Sequence, residues 1–141
     1  MPIDDREACI AALRAAGLKI TPQRIAVVEC VIGDETHPTV NALYERLRPR
    51  FPSMSVATVY NTLSALDEIG RCRKLDLGGP SRFDPNVQPH DHALCERCGA
   101  LRDVERSQEP GHEALHALPG FQVQRVERIY RGLCAKCAQA A

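Results

Sequence analysis

The sequence predicts an α+β protein, and three features of its 141 residues support this fold class. The first half carries apolar residues at helical spacing, separated by capping residues, Gly and Pro. The second half carries short apolar runs bounded by turn residues, which are typical of strands. Two prolines, Pro85 and Pro89, separate the halves. We therefore predict an N-terminal domain over 1–84, a hinge over 85–89 and a small C-terminal α/β domain over 90–141.

Four helices are predicted in the first half. Three of them begin at a Ser or Thr that can cap the helix, and Gly or Pro ends each of the four. The predicted spans are Asp4 or Asp5 to Ala16, Thr21 to Gly33, Thr39 to Pro49 and Ser55 to Gly70. Helical spacing in the fourth helix predicts a buried stripe of Val56, Val59, Leu63 and Leu66, with Ala57, Thr58, Tyr60 and Asn61 opposite.

A β-hairpin is predicted after the fourth helix, with strands from Arg71 to Leu77 and from Arg82 to Asp84. Helices followed by a hairpin are the order of a winged helix-turn-helix, whose last helix enters the major groove of DNA. Small helical bundles that bind no DNA share this pattern, and the fourth helix has no Lys or Arg, so both interpretations stay open. The candidate base contacts are Thr58, Tyr60 and Asn61, and the candidate phosphate contacts are Lys19, Arg24, Arg46, Arg48 and Arg50.

The second half is predicted to form strands around Ala93 to Cys95 and Leu101 to Val104, a short helix near Glu113 to Leu118, and a strand from Val123 to Tyr130. A piece of about fifty residues is too small for a secure core of its own. We therefore expect a bound metal or a second copy of the chain to stabilise it, as in a dimerisation unit.

Composition limits the class of protein. The chain has seven Cys, an odd number, and an acidic N-terminus unlike a signal peptide, which favours reduced cytoplasmic thiols over a disulfide framework. No apolar run is long enough to span a membrane. The formal net charge is zero, so any affinity for nucleic acid must come from a local basic surface.

The strongest motif is a double Cys-x-x-Cys. Four thiolates in one small domain match a closed tetrahedral zinc site, formed by Cys95, Cys98, Cys134 and Cys137. Two unrelated pairs or a redox dithiol are the alternatives. The remaining thiols, Cys9, Cys30 and Cys72, are interpreted as buried residues.

Two histidine motifs carry weaker signals. His90 and His92 lie two residues apart and share one face of a strand, where imidazoles could bind zinc, iron or manganese. Further along, His112-Glu113-Ala-Leu-His116 matches the zinc-protease pattern, which makes a zinc-dependent hydrolase a remote alternative. Pro110-Gly111 and Pro119 interrupt the long helix that such a protease needs, so an exposed helical turn is favoured.

Several stretches together resemble the ferric uptake regulator (Fur) family of bacterial metal-dependent repressors, over nearly the whole chain. The resemblance implies a winged helix joined to an α+β dimerisation domain, a homodimer on operator DNA, structural Zn²⁺ on the four cysteines and a regulatory metal at the hinge. It also implies that Lys19 reaches the minor groove and that Tyr60 contacts bases. The matching stretches are Gly17 to Arg24, His37-Pro-Thr, Ala57 to Leu63, Arg82 to Asp84, His90-Asp-His92, Cys95-x-x-Cys98-Gly and Cys134-x-x-Cys137.

The chain resembles the peroxide-responsive branch of this family (PerR) most. That branch holds Fe²⁺ or Mn²⁺ with three His and two Asp, whereas iron-sensing members usually carry Glu at both Asp positions and often have a third metal site, here altered at Pro89 and Val126. The resemblance implies a repressor, not an enzyme, in which Fe(II) and peroxide oxidise His37 and His90. A repressor switched by iron or manganese occupancy alone is the alternative. The matching ligands are His37, Asp84, His90, His92 and Asp103.

Overall fold

The structure is a computed structural model that describes residues 3–106, 115 and 117–140. The chain divides into two compact units, Met1–Val87 and Gln88–Ala141. The first is mainly helical and ends in a hairpin, while the second contains a three-stranded sheet. The predicted α+β fold class, with a winged-helix order in the first unit, is confirmed.

Four helices precede the hairpin in the first unit, and the last three begin directly after their predicted caps. The first helix begins at Ile3, so the predicted cap at Asp4 or Asp5 is wrong, because both residues lie inside the helix. The hydroxyl groups of Thr21, Thr39 and Ser55 each accept a hydrogen bond from the backbone N–H three residues later, which satisfies a donor that the helix leaves unpaired. The helices are α1, Ile3–Ala15; α2, Pro22–Val31; α3, Val40–Leu47; and α4, Val56–Glu68.

The core of the first unit is aliphatic, with Phe83 as its largest buried side chain. All four helices contribute to it, through residues such as Leu13, Val28, Leu43 and Leu63. The expected stripe of α4 is wrong at one residue: Val56 is 42% exposed, and Thr62 is buried instead. The Thr62 hydroxyl donates to the carbonyl of Thr58 at 2.7 Å, so its polar atom is satisfied within the helix and can be buried.

The hairpin consists of β1, Arg73–Leu75, and β2, Arg82–Asp84, paired antiparallel. The segment before α3 lies along β2, because the N–H of Phe83 donates to the carbonyl of Pro38 at 3.0 Å. Thr39 forms an isolated bridge with Arg82. These bonds bring the loop that contains His37 beside the end of β2.

The second unit contains β3, Asp91–Cys95; β4, Leu101–Val104; β5, Ile129–Gly132; and a short helix α5, Ala135–Gln139. The strand order is β4-β3-β5, with β3 antiparallel to β4 and parallel to β5. His90 therefore immediately precedes the central strand β3, which carries His92 near its beginning and Cys95 at its end.

The predicted strand from Val123 to Tyr130 is wrong for most of its length, because residues 121–128 have no regular secondary structure and β5 begins at Ile129. Its partner β3 begins only at Asp91, and Pro89, two residues earlier, has no N–H to donate. The predicted helix around Glu113 is described only in part, and His112, Glu113 and His116 lie outside the described residues. Within the described ranges, no helix has the length and apolar character needed to cross a membrane.

Candidate metal centres and nucleic-acid interface

The four predicted zinc ligands come together in the second unit. One sulfur atom from each of Cys95, Cys98, Cys134 and Cys137 lies within 4.8 Å of the others. Cys95 ends β3, while Cys134 caps α5 and Cys137 lies within that helix. A turn at Gly99, with φ of 77°, folds the first pair, and the N–H of Gly99 donates to the carbonyl of Cys95 at 2.9 Å.

Backbone donors favour thiolates in this cluster. The N–H groups of Cys98 and Cys134 lower the pKa of the Cys95 thiol to about 6, and the N–H of Cys137 lowers the pKa of Cys134. The neighbouring Cys134 sulfur raises the pKa of Cys137 to about 12. Four sulfurs at this spacing repel one another when all are ionised, so the set fits a divalent cation that binds soft thiolates, such as zinc.

The apolar core of the second unit is small. Among its described residues, the buried apolar side chains are Cys95, Leu101 and Cys137. Two of these three are members of the sulfur cluster. A metal that binds the cluster would therefore supply much of the stability that a larger unit obtains from its core.

In the first unit, His37 and Asp84 form a buried pair, each about 1% exposed. The Nε2 atom of His37 lies 3.3 Å from Oδ2 of Asp84, and Oδ1 of Asp84 accepts from the N–H of Asn86 at 2.9 Å. His37 has a φ of 57°, the left-handed region that residues other than Gly rarely adopt. The surrounding loop therefore holds this imidazole in an unusual backbone conformation, as is common at functional sites.

In the second unit, His90, His92 and Asp103 form a cluster of donor atoms. The two Nε2 atoms lie 3.1 Å apart, and Oδ1 of Asp103 lies 3.2 Å from Nε2 of His90 and 3.4 Å from Nε2 of His92. The β3–β4 register sets this geometry, because it places His92 opposite Asp103. The two imidazole side chains are 6% exposed and the Asp103 side chain is 36% exposed.

The hydrogen bond of His90 to the backbone defines which nitrogen can bind a metal. Its Nδ1 lies 2.6 Å from the carbonyl of Gln88, which can only accept, so Nδ1 carries the hydrogen. The other ring nitrogen, Nε2, faces the donor cluster and is the atom available to bind a metal. Imidazole nitrogens with carboxylate oxygens suit iron, manganese or zinc, and a carbonyl partner on the second nitrogen is typical of metal-binding histidines.

Two of the three predicted base contacts of α4, Tyr60 and Asn61, are exposed. Val56, Tyr60 and Asn61 all face solvent, and the Lys74 ammonium lies 5.9 Å from the centre of the Tyr60 ring. Thr58 is half-buried, and its hydroxyl lies 3.0 Å from that of Ser55 at the helix cap. The exposed face is apolar and hydrogen-bonding, so it could recognise bases through thymine methyl groups and adenine edges.

The candidate phosphate contacts differ in their surroundings. Lys19 is exposed, while Arg24 is half-buried and its guanidinium donates to the carbonyl of Lys19. Arg24 therefore also fixes the segment that presents Lys19. Arg46 pairs with Asp34 at 2.5 Å, and Arg48 lies 3.8 Å from Glu45.

One buried charge and its partner were not identified from the sequence. Asp91, between the two histidines, is 2% exposed, and Oδ1 of its carboxylate accepts from Nε of Arg106 at 2.8 Å. The sequence does contain a signal for it. Asp91 lies between the two histidines, so on a strand its side chain faces the opposite side of the sheet. A carboxylate buried there needs a cationic partner.

Comparisons with known proteins place these features in context. The profile of the Ferric uptake regulator family matches residues 15–130. The chain is 41% identical over 133 residues to the peroxide-responsive repressor PerR of Staphylococcus aureus, covering 93% of this chain and 90% of that protein. The solved structure of PerR from Streptococcus pyogenes is 30% identical, with a TM-score of 0.54, and the match covers 94% of this chain and 92% of that one. The ferric uptake regulator of Vibrio cholerae is 28% identical, with a TM-score of 0.71, over 88% of this chain and 98% of that one.

Proposed function

We propose that this chain, which belongs to the ferric uptake regulator family, is a metal-dependent transcriptional repressor that senses hydrogen peroxide. The observation that carries the proposal is that the candidate ligands of the regulatory metal are three histidines and two aspartates. The identity to a peroxide-responsive repressor over nearly the whole chain supports the same function. The proposed site of action is the cytoplasm, where operator DNA is found.

The His37–Asp84 pair and the His90–His92–Asp103 cluster are proposed to bind one Fe²⁺ or Mn²⁺ together. A metal shared by these residues links the DNA-binding unit to the second unit, which is proposed to form the homodimer. In a two-fold dimer, such a link sets the separation of the two α4 helices, which must match successive major grooves about 34–36 Å apart. Loss of the metal would then weaken operator binding.

The four cysteines are proposed to bind the structural Zn²⁺. Their role differs from that of the regulatory ligands, because a closed site of four thiolates leaves no position for a reactant. This zinc would hold α5 and the end of β3 together, which stabilises the dimerisation unit.

Peroxide sensing is proposed to end in oxidation of His37 or His90. Bound iron(II) would supply the one-electron chemistry that activates hydrogen peroxide. Hydrogen peroxide would transfer one oxygen atom to a ring carbon of an imidazole beside the metal, and its other oxygen would leave as water. The oxidised imidazole would be a poorer ligand, so metal and operator would be released. Asp103 is the most exposed member of its cluster, so peroxide can approach from that side. Each protein is oxidised once without turnover, so the chain is not proposed to be an enzyme.

An iron- or manganese-responsive repressor, switched by metal occupancy alone, is the second candidate. The same ligands can bind Fe(II) or Mn(II), and the ferric uptake regulator of Vibrio cholerae shares the fold. The two candidates differ in their response to peroxide, since only the first requires an oxidisable imidazole beside the metal.

Operator binding by the Fe(II) and Mn(II) forms, before and after low peroxide, separates the candidates. The wild-type Fe(II) form should release the operator, while the Mn(II) form should stay bound. Asp103→Glu should keep metal-dependent binding and lose most sensitivity to peroxide, because the longer side chain shifts the carboxylate at the exposed side. His37→Ala should abolish metal-activated binding. A wild-type Fe(II) form that stays bound after peroxide would support the second candidate.

A further inference from the structure

Asp91 is a buried anion between two candidate metal ligands. Successive side chains of a strand point to opposite faces, so its carboxylate points away from the face that carries His92. Oδ1 accepts from Nε of Arg106 at 2.8 Å, and Oδ2 lies 3.4 Å from Nη1 of Arg128. A carboxylate that is 2% exposed requires such partners, because an unpaired buried charge is strongly unfavourable.

Arg106 connects two separate segments. Besides its bond to Asp91, its Nη2 donates to the carbonyl of Val126 at 2.5 Å, and its side chain is only 9% exposed. Arg106 follows β4 in the chain, and Val126 precedes β5. These two strands flank β3 in the sheet, so one guanidinium joins the chain that leaves β4 to the chain that enters β5. We call the set of Asp91, Arg106 and the Val126 carbonyl the arginine clasp.

The arginine clasp lies on the β5 side of β3, where the sheet has little other support. The N–H of His92 donates to the carbonyl of Arg128 at 3.2 Å, but the segment 121–128 forms no strand beside it. At the opposite end of β3, the N–H of Glu96 donates to the carbonyl of Gly132 at 2.8 Å beside the four-cysteine cluster. On the β4 side, the ladder reaches Asp91, so the histidine end is paired there. On the β5 side, the side-chain bonds of the arginine clasp supply a link that the cysteine end obtains from its ladder and cluster.

We propose that Arg106 is a positioning residue for the regulatory metal site. Through Asp91 and Val126 it fixes the beginning of β3, and so the distances among the donor atoms of His90, His92 and Asp103. Arg106 itself contacts no metal ligand atom in this role. The inference rests on the proposed function of these three residues as metal ligands. It states that Arg106 increases their affinity for the metal by holding them in position.

The test is Mn(II) affinity of the zinc-loaded full chain, measured by calorimetric titration. Arg106→Ala should weaken Mn(II) binding by about 10- to 100-fold, the usual effect of losing a residue that orients ligands. Arg106→Lys keeps the positive charge but not the planar guanidinium with its several donors, so its Mn(II) affinity should fall less than that of Arg106→Ala. Arg125→Ala is the matched control, because Arg125 lies in the same segment and pairs with Glu127 at 3.1 Å, with its side chain 60% exposed. Its Mn(II) affinity should equal that of the wild type.

Amide hydrogen exchange of the zinc-loaded proteins without Mn(II) gives a second readout. Arg106→Ala should speed exchange of the His92 amide and leave the Glu96 amide protected. If Arg106→Ala loses zinc and unfolds, Arg106→Lys tests the role of Arg106 instead, through its Mn(II) affinity and the exchange rate of its His92 amide.

The outcomes separate the inference from the proposed function. A wild-type chain that binds no Mn(II) would overturn the proposed function of the histidine cluster. A wild-type chain that binds Mn(II), together with Arg106 variants of unchanged affinity and unchanged His92 exchange, would overturn the role of Arg106. Weaker Mn(II) binding with zinc retained and Arg125→Ala unaffected would establish it.

Discussion

Removing one thiolate from the four-cysteine cluster should unfold the second unit. Cys98 and Cys134 are 36 residues apart, and a metal that binds both closes a loop of that length. By loop-closure entropy alone, such a cross-link contributes about 4 kcal/mol. The core of so small a domain rarely supplies more than about 3–5 kcal/mol, and Leu101 is the one buried apolar residue outside the cluster among those described in this unit. We therefore expect Cys134→Ser to cancel the net stability of the unit.

Zinc content and amide exchange test this expectation. Cys134→Ser should lose its zinc, the protection of the Glu96 amide that bonds to Gly132, and the dimer. The first unit has its own aliphatic core, so its amides should stay protected. Cys30→Ser is the control, since Cys30 is a half-buried thiol of α2 outside the cluster. A zinc-free Cys134→Ser protein that remains dimeric, with Glu96 still protected, would refute the reasoning.

Three further predictions concern the first unit. Lys19→Ala should weaken binding to all DNA sequences and reduce the salt slope by about 1, measured by salt titration of operator affinity. Tyr60→Ala should reduce discrimination against operator mismatches, and unchanged discrimination would show that α4 does not read the bases. Burial raises the pKa of Asp34, but hydrogen bonds from Thr36 and Arg46 outweigh this and leave that pKa lowered. Because this pKa is lowered by folding, the ionised Asp34 stabilises the fold above about pH 4. Asp34→Asn should therefore lower the free energy of unfolding, measured with denaturant, by at most about 1 kcal/mol at neutral pH. Well below pH 4 it should not change that free energy.

The helices of the first unit were predictable because their signals are local. A hydroxyl at Ser55 can cap a helix whatever the rest of the fold, and Gly or Pro ends a helix in any context. Apolar spacing could not show how far the core extends along α4. Val56 is at the beginning of this helix and faces solvent beside Tyr60, whereas Thr62 is buried because its hydroxyl bonds within the helix.

The second unit was less predictable because its strands depend on partners. The β-branched residues Val123 and Val126 favour a strand, yet β3 offers no ladder there, so the signal was misleading. The five-residue helix α5 was not predicted, because the last cysteine pair was interpreted only as a source of ligands.

The candidate sites show the same division between local and tertiary signals. Cysteine spacing was enough to predict a cluster, and the four sulfur atoms do converge. The left-handed backbone of His37 and the pairing of Asp91 with Arg106 arise from tertiary contacts, which no local pattern encodes.

Mass spectrometry of the metal-loaded protein after low peroxide tests the central claim most directly. Peptic peptides of the Fe(II) form should show one added oxygen atom on His37 or His90, and operator binding should fall in proportion to this oxidation. The Mn(II) form, treated in the same way, should show neither change. An Fe(II) form that remains unmodified at both histidines and still binds its operator would contradict peroxide sensing by this site.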